Sequence, residues 1–304
     1  MSILITSETK FIIQGITGRE AVNLTRENLD YGSKIVGGVT PGRSGRDVYG
    51  VPVYDCVRDV VEKHGPVEGS IVSVPPGFTR DAVFEAIENG VKTIVVVTEN
   101  IPRKEVAQMV ELANLRGARI IGPNCLGVVS PDEAKMGGMG GPAANTRQAY
   151  KKGHIGVMSR SGGMTTEIAS TLTAAGLGQS TCVSIGGDAI VGTTYAELMP
   201  FFEADSETHA IAIYSEPGGR MEAELAEWVK ANDSRLPIVA FMAGRFMDEM
   251  KGMRFGHAGT IVEGVEDTTT EKIARMEAAG ISVAERIEEI PGLIAARLAE
   301  NGAA

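Results

Sequence analysis

The stretch KFIIQGITGREAV, residues 10–22, joins a short apolar segment to a helical pattern through a turn that holds two glycines. The apolar segment predicts a buried strand, and a helix is expected to begin near Arg19. Gly15 and Gly18 let the backbone approach a ligand, and the first N–H groups of a helix favour an anion. The motif is not a complete G-x-G-x-x-G, so a tight turn without a ligand remains an alternative.

The same strand–turn–helix unit recurs along the first part of the chain. Further strands are expected in KIVGGVTPG (34–42), GSIVSVPPGF (69–78), KTIVVVTEN (92–100) and ARIIGPNCLG (118–127), with helices over 19–31, 79–89 and 103–116. Because these apolar runs are continuous rather than alternating, they indicate strands covered on both faces, as in a parallel sheet. The pattern predicts a doubly wound α/β domain over residues 1–130.

A second series of strands and helices follows a segment without periodicity. Residues 131–152 carry Gly, Pro, Ala and Lys and are interpreted as an inter-domain connection. Strands are then expected in HIGVMSRSGG (154–163), STCVSIGGDA (180–189), AIAIYSEPGG (210–219), PIVAFMAGR (237–245) and ISVAERI (281–287), with helices over 163–176, 193–204, 219–231 and 271–279. The chain is therefore predicted to hold two parallel-sheet domains in tandem, the second over residues 153–304.

The composition is that of an ordinary globular protein. The chain has 304 residues, 43% hydrophobic and 22% charged, with a formal net charge of −10 that argues against nucleic-acid binding. It lacks a run of about 18 apolar residues, and its start, MSILITSETKF, does not resemble a signal peptide. We expect a cytoplasmic protein that does not enter a membrane. The three separated cysteines, Cys56, Cys125 and Cys182, are predicted to be buried thiols rather than a disulfide framework or a metal site.

Loops after the strands of the first domain predict a binding crevice for a phosphorylated ligand. A dinucleotide site would need an acidic side chain after the second strand, whereas this sequence has Arg43 there. A guanidinium suits a phosphate, so the position favours a phosphorylated adenosine over NAD, although Arg43 alone could equally be a solvated charge. VPPGF (74–78) and TEN (98–100) follow the third and fourth strands and are expected at the same sheet edge, unless they are ordinary loop residues.

The second domain offers an anion-binding turn and a carboxylate at its strand ends. Ser161 and Gly162 lie at a strand-to-helix turn with donor N–H groups, but without the G-x-S-x-G of a catalytic serine. A second glycine turn carries Asp188, and a third strand ends in Glu216. Because the carboxyl ends of parallel strands share one edge of a sheet, these groups are expected to lie close together.

His257 lies between glycines in the stretch FGHAG and is the candidate nucleophile. Neutral imidazole is nucleophilic near neutral pH, because its pKa is about 6.5. A carboxylate such as Glu216 can hold the other ring nitrogen, and helix N-termini would stabilise a phosphoryl group on the ring. The alternative is a surface-loop histidine without a function. The other histidines, at positions 64, 154 and 209, lie in polar contexts and are interpreted in that way.

Taken together, these motifs resemble the α subunit of succinyl-CoA synthetase, the ADP/GDP-forming succinate–CoA ligase, over nearly the whole chain. The likeness depends on QGITG, VGGVTPGR, TEN in place of the usual T-E-G, GPNC, SRSG, GQSTCVSIGGD, YSEPGG and GHAG. It implies a Rossmann-like CoA-binding domain followed by a flavodoxin-like ligase domain. It also implies a phosphohistidine at His257, steadied by Glu216. The nucleotide, ATP or GTP with Mg²⁺, is expected on a partner β subunit with an ATP-grasp domain, in an αβ or α2β2 assembly.

The resemblance also assigns residues to the coenzyme and to the acid. The implied CoA-binding residues are Thr17, Gly18, Arg19, Glu20, Arg43, Pro75, Thr98, Glu99, Asn100 and Asn124, with Arg43 in place of the family's lysine. The implied residues for the acid or for phosphate are Ser161, Gly162, Gly163 and Thr166.

Two segments differ from the usual succinate enzyme. That enzyme has S-R-S-G-T-L-T-Y-E and G-P-N-C-P-G, whereas this chain has SRSGGMTTE and GPNCLG. SRSGGM is similar to the corresponding segment of ATP-citrate lyase, whose substrate is bulkier and hydroxylated. We therefore expect a larger or more polar acid pocket, which accepts succinate or a hydroxylated relative such as malate or citrate.

Two other functions compete with this interpretation. One is an NAD(P)-dependent oxidoreductase, which the missing acidic residue after the second strand disfavours. The other is a CoA-binding regulatory paralogue without phosphoryl transfer, which the presence of both His257 and Glu216 disfavours.

Overall fold

The computed structural model describes residues 3–250, 252–253 and 255–300. Within these residues the chain forms two seven-stranded sheets with helices packed against them. The strands are predominantly parallel, as the continuous apolar runs predict.

The first sheet has the strand order β3-β4-β2-β1-β5-β6-β7, in which only the β3–β4 pair is antiparallel. Its strands are β1 (Lys10–Gln14), β2 (Lys34–Val39), β3 (Asp47–Val48), β4 (Val51–Tyr54), β5 (Gly69–Val72), β6 (Thr93–Val96) and β7 (Arg119–Ile121). Its helices are α1 (Arg19–Tyr31), α2 (Val57–His64), α3 (Pro76–Glu88) and α4 (Arg103–Arg116). The order changes direction at β1 and β5, so the loops after these two strands open a crevice between them.

The second sheet has the order β14-β13-β12-β10-β11-β8-β9, in which β8 and β9 are antiparallel and the others are parallel. Its strands are β8 (Gly127–Ser130), β9 (Ala134–Gly137), β10 (Lys152–Ser159), β11 (Gln179–Ser184), β12 (Ala210–Ser215), β13 (Ile238–Met242) and β14 (Ser282–Ala284). Its helices are α5 (Ala143–Ala149), α6 (Gly162–Ala174), α7 (Tyr195–Ala204), α8 (Met221–Asn232), α9 (Thr269–Glu277) and α10 (Ile290–Glu300).

The segment 131–152 is not the irregular connection that its composition indicated. It contains β9 and α5, and the β8–β9 hairpin extends the second sheet beside β11. The glycines of this hairpin allow close backbone packing, since a Cβ on Gly127 of β8 would lie 2.0 Å from the Met136 carbonyl oxygen. Two side chains of the first unit, which consists of the first sheet and its helices, also bind the hairpin. Asn28 Nδ2 donates to the Gly137 carbonyl at 2.9 Å, and Ser33 Oγ donates to the Lys135 carbonyl at 2.7 Å.

Most predicted helices are present with small differences at their ends. α1 and α4 have the predicted bounds, and α3 begins three residues early at Pro76, because proline is well suited to the first turn of a helix. The helices α2, α5 and α10 were not predicted. α10 starts with Ile-Pro-Gly, which obscures its N-terminus in the sequence.

The core extends between the two sheets. One cluster of buried apolar residues includes Phe11 of the first sheet, Met136 of the hairpin and Met158 of the second sheet. Cys125 and Cys182 are buried and Cys56 is partly buried, and all three are free thiols. None of the helices in the described part of the chain is long and apolar enough to cross a membrane.

Candidate active site

The candidate site is a cavity of about 790 Å³ that both halves of the chain line. The first half contributes the start of α1 and the loops after β5, β6 and β7. The second half contributes the start of α6 and the ring of His257. The residues that line the cavity are Gly18, Arg19, Glu20, Ala21, Ser73, Val74, Pro75, Pro76, Val97, Thr98, Glu99, Asn100, Asn124, Cys125, Leu126, Ser161, Gly162, Gly163 and His257.

The imidazole of His257 is held by a buried carboxylate. Nδ1 lies 2.8 Å from Glu216 Oε2, and the Thr260 hydroxyl donates to the same oxygen at 3.1 Å. Because an ionised carboxylate only accepts hydrogen bonds, Nδ1 carries the proton. The lone pair of a neutral ring is then on Nε2, so Nε2 is the nucleophilic atom of His257.

The two groups affect each other's pKa in opposite directions. The hydrogen bond that Nδ1–H donates to Glu216 raises the pKa of His257 above its ordinary 6.5, against the effect of partial burial of the ring. Burial acts to raise the pKa of Glu216, but the hydrogen bond and charge of His257, with Arg160 and Thr260, outweigh it and hold that pKa below 4.5. The pair is thereby stabilised as an imidazolium beside a carboxylate.

The loop of His257 rests on a glycine turn that leaves no space for a side chain. A Cβ on Gly187 would lie 2.4 Å from His257 Cγ, and Gly259 N–H donates to the Gly187 carbonyl at 3.1 Å. The same turn is tied to the first unit, since Gly187 N–H donates to the Asn124 carbonyl at 3.1 Å and Asn124 Nδ2 donates to Asp188 Oδ1 at 3.0 Å. The ring position is therefore fixed by backbone contacts from both halves of the chain.

Arg160 lies beneath the histidine loop and is almost completely buried. Its Nη2 donates to the Asp188 carbonyl at 2.9 Å, and a Cβ on Gly259 would lie 2.4 Å from that nitrogen. Its charge favours the ionised form of Glu216 and disfavours the protonated form of His257. Arg160 thus supports both the shape and the electrostatics of the site.

The backbone after Glu216 is held by a buried lysine of α9. Lys272 Nζ donates to the Glu216 carbonyl at 3.1 Å and to the Gly218 carbonyl at 2.5 Å. The same amine forms a 2.7 Å ion pair with Glu222, and both side chains are at most 2% exposed. The lysine therefore fixes the turn from which the Glu216 side chain reaches the histidine.

The start of α6 presents an anion-binding turn to the cavity. Ser161 is the N-cap residue, and its Oγ accepts from Met164 N–H. Ser159 Oγ accepts from Ser161 N–H at 3.1 Å and donates to the Ser161 carbonyl at 2.7 Å, which fixes the turn. The N–H groups of the first helical turn and the helix dipole favour a negatively charged group close to His257.

Comparison with known proteins identifies the family. Two family profiles match, a CoA binding domain over residues 6–100 and a succinyl-CoA ligase like flavodoxin domain over residues 152–296. The chain is 43% identical over 298 residues to the ADP-forming sulfoacetate-CoA ligase subunit SauD of Bilophila wadsworthia, which covers 98% of this chain and 100% of that protein. It is also 43% identical over 295 residues to the succinate–CoA ligase (ADP-forming) subunit alpha 2 of Archaeoglobus fulgidus. This match covers 97% of this chain and 99% of that protein.

The chain belongs to the succinyl-CoA ligase α-subunit family. A structure of ATP citrate lyase from Methanosaeta concilii in complex with (3S)-citryl-CoA superimposes with a TM-score of 0.91 at 21% identity. The match covers 99% of this chain and 52% of the lyase, so the chain spans about half of the lyase's length. At this level of identity the superposition shows a shared fold.

These comparisons confirm the resemblance deduced from the motifs. The family, the α/β fold class and the class of enzyme, an ADP-forming CoA ligase α subunit, are those predicted from the sequence. The family assignment also excludes the NAD(P)-dependent oxidoreductase that the first domain alone left open.

The structure of this CoA ligase α subunit does not bring every predicted site residue to the cavity. Among the described residues, four predicted site residues lie outside its lining: Thr17, Arg43, Thr166 and Glu216, of which Glu216 reaches the site through its contact with His257. The Thr17 hydroxyl lies 3.2 Å from that of Thr40. Arg43 is an exposed residue of a surface loop.

Thr166 does not enlarge the acid pocket in the way that the sequence comparison suggested. Its hydroxyl lies 2.8 Å from the hydroxyl of Tyr150, which is fully buried. Position 166 is one helical turn further along α6 than Gly162, and it faces α5 and the buried tyrosine instead of the cavity.

Several residues of the site were not singled out in the sequence. Arg160 was quoted only as part of SRSG. Thr260 and Lys272 do not belong to any motif that the sequence analysis recognised. Leu126 was noted only as a departure from the family pattern, yet it packs against Gly162 at the start of α6. The position of Arg160 directly after a strand was the one available signal, since strand ends of a parallel sheet line the ligand crevice.

Proposed function

We propose that this chain is the phosphohistidine-carrying α subunit of a nucleoside-diphosphate-forming acid–CoA ligase. The observation that supports it is the 2.8 Å contact between His257 Nδ1 and Glu216 at a cavity shared with the start of α6. The contact leaves Nε2 as the nucleophile, and Glu216 offsets the positive charge that develops on the ring during phosphoryl transfer.

The proposed reaction has three steps. His257 Nε2 attacks the γ-phosphorus of ATP or GTP, so that a P–N bond forms and the nucleoside diphosphate leaves. A carboxylate oxygen of the acid then attacks this phosphorus and the P–N bond breaks with its electron pair returning to Nε2, which gives an acyl phosphate and restores the neutral ring. Attack of the CoA thiolate on the acyl carbon forms the thioester and releases phosphate. The amides at Ser161 and Gly162 are proposed to bind the phosphoryl group during its transfer.

The part of the cavity lined by the first half of the chain suits a phosphorylated substrate such as CoA. The volume of the whole cavity lies within the range of roughly 300–1,000 Å³ that is usual for ligand sites. The start of α1 faces the cavity, and its N-cap residue Gly18 supplies no side-chain cap, so that the first amides of the helix are open to a ligand. We propose that these amides, Arg19 and the loops at Pro75 and at 98–100 hold the coenzyme.

A partner subunit completes the proposed enzyme. The relatives are named as subunits, and the nucleotide with Mg²⁺ is proposed to bind to a β subunit with an ATP-grasp domain, as an αβ or α2β2 assembly. The free thiols of the chain are compatible with the proposed cytoplasmic location.

The proposed acid is a short dicarboxylate or a substituted relative of one. Two relatives are named for succinate and for sulfoacetate, which are both short and dianionic. Succinate, malate and citrate are the acids that the sequence of the α6 start favours.

The test is phosphoryl labelling of the assembled heteromer with ATP labelled in the γ-phosphoryl group. We expect an acid-labile, base-stable label on the wild-type α subunit, lost in His257→Asn and retained in the control His154→Asn, which changes an exposed histidine. An unlabelled wild-type protein, or equal labelling of His257→Asn, would contradict phosphoryl transfer through His257. Such a result, with CoA binding preserved, would favour the regulatory paralogue.

A further inference from the structure

The glycines around the candidate site differ in the reason why a side chain is absent. A Cβ on Gly187 would overlap His257, and a Cβ on Gly162 would lie 2.3 Å from Leu126 Cγ. At Gly163, by contrast, an added Cβ would have only one heavy atom of the described residues within 4 Å besides its chain neighbours and the backbone of α6, namely Ser161 Oγ at 4.0 Å. Packing therefore requires glycine at 162 and 187 but not at 163.

The backbone does not require glycine at position 163 either. Gly163 is the second residue of α6, and its φ lies outside the left-handed region that favours glycine. Glycine is among the poorest residues for a helix, so alanine would be expected there on the grounds of folding alone. The open space beside Gly163 thus has no explanation in the fold of the described residues.

This space lies in the wall of the cavity that holds His257. It is bordered by the Ser161 hydroxyl, which accepts from Met164 N–H and so keeps its own proton for donation to a ligand. The amides of the first turn of α6 add further donors beside it. The groups around the space suit an anionic or hydroxyl substituent rather than an apolar one.

We propose that Gly163 determines the acid specificity of this ligase by leaving space for a polar substituent on the carbon chain of the acid. The inference rests on the proposed function. The proposal narrows the substrate class to short acids that carry a hydroxyl or a further acidic group. This substituent would bind beside Ser161. A side chain at 163 would occupy this space and restrict the enzyme to unsubstituted acids.

The experiment compares wild type, Gly163→Ala and Gly163→Thr, each assembled with its partner subunit. The kcat/KM values for succinate, malate and citrate are measured, together with phosphorylation of His257 by ATP. Gly292→Ala is the matched control, since it is an early residue of α10 where an added Cβ also meets nothing within 4 Å.

We expect the wild type to use malate or citrate at least as well as succinate. Gly163→Ala should lower the ratio of kcat/KM for the substituted acid to that for succinate by about tenfold, and Gly163→Thr should lower it further, up to about 200-fold. Co-elution with the partner should remain at the wild-type level in both variants, as in Gly292→Ala, and the ratio compares two acids on the same variant, so a change in the overall rate of His257 phosphorylation cancels from it.

The outcomes separate this inference from the proposed function. An unchanged ratio in both variants, or an equal loss for all three acids, would overturn the role of Gly163 while His257 is still labelled. Loss of co-elution in the Gly163 variants would show that the space belongs to the partner subunit and would also overturn it. Absence of label on wild-type His257 would instead contradict the proposed function itself.

Discussion

His257 and Glu216 are 41 residues apart in the chain, yet His257 Nδ1 lies 2.8 Å from Glu216 Oε2. The histidine ring is 28% exposed and the carboxylate is 9% exposed. One member of the pair therefore faces the cavity and the other is shielded from water. The hydrogen bond to Glu216 raises the pKa of His257, so a larger fraction of the rings is protonated at a given pH than for a free histidine. In that fraction the ring has to lose a proton before Nε2 can attack phosphorus.

Replacement of Glu216 by glutamine tests whether the carboxylate sets the ionisation of His257. Glu216→Gln removes the charge that raises the pKa of His257, so the pH midpoint for phosphorylation of His257 should fall toward 6.5. At alkaline pH, where the ring is neutral in both proteins, the rate should still fall by about tenfold or more, because the developing imidazolium loses its counter-charge. Rapid-quench labelling across a pH series measures both effects.

The control for this variant is Glu227→Gln, which removes an exposed charge from α8 without contact to the site. It should leave the midpoint and the rate unchanged. An unaltered midpoint in Glu216→Gln would mean that the carboxylate does not set the ionisation of His257.

At the scale of secondary-structure elements, the site depends on helix ends and on the turns between strands and helices. α6 supplies amide donors at its start, and α9 holds the turn after β12 through Lys272. A buried ion pair such as Lys272–Glu222 is costly to break, because removal of one partner leaves an uncompensated charge in the interior.

We expect Lys272→Met to destabilise the protein by about 3–5 kcal/mol, since Glu222 and two backbone carbonyls lose their donor. The additional change Glu222→Met should restore part of this loss, because no unpaired carboxylate is left. Denaturant unfolding of the two variants and of the exposed control Lys230→Met measures the differences. Equal stability of Lys272→Met and wild type would contradict the structural role of the ion pair.

At the scale of the whole molecule, the cavity exists only because the two sheets pack against each other. Asn124, at the end of the first sheet, binds the turn at 187–188 that supports the histidine loop. The apolar cluster through Phe11, Met136 and Met158 joins the two sheets behind this contact. A ligand bound to the first unit is therefore expected to affect the second.

Hydrogen exchange with and without CoA tests this expectation. CoA should slow exchange of amides at 18–20, at the start of α1, and also at 161–163, at the start of α6, because both segments line the same cavity. Amides of α10, which do not line it, serve as the internal control. Slower exchange confined to the first unit would show that CoA occupies only part of the cavity.

Much of the fold and part of the site could be predicted from local patterns. Continuous apolar runs indicated parallel strands, and the helices at 19–31 and 103–116 were predicted to the residue. The hairpin at 127–137 was missed, because Gly127 and Gly137 resemble loop residues when their close contact with opposing backbone is unknown. The proximity of His257 to Glu216 could be predicted, since strand ends of one sheet share an edge.

The sequence by itself determined the two α/β units, the family and the choice of His257 and Glu216 as candidates, because these are encoded in local periodicity and in short motifs. Only the tertiary structure decided that Gly187 lies against the His257 ring, that Arg160 and Lys272 support the site, and that Thr166 faces Tyr150. These contacts join residues that are distant in the chain. They arise from the packing of sheets and helices, and no local pattern specifies which distant side chains will meet.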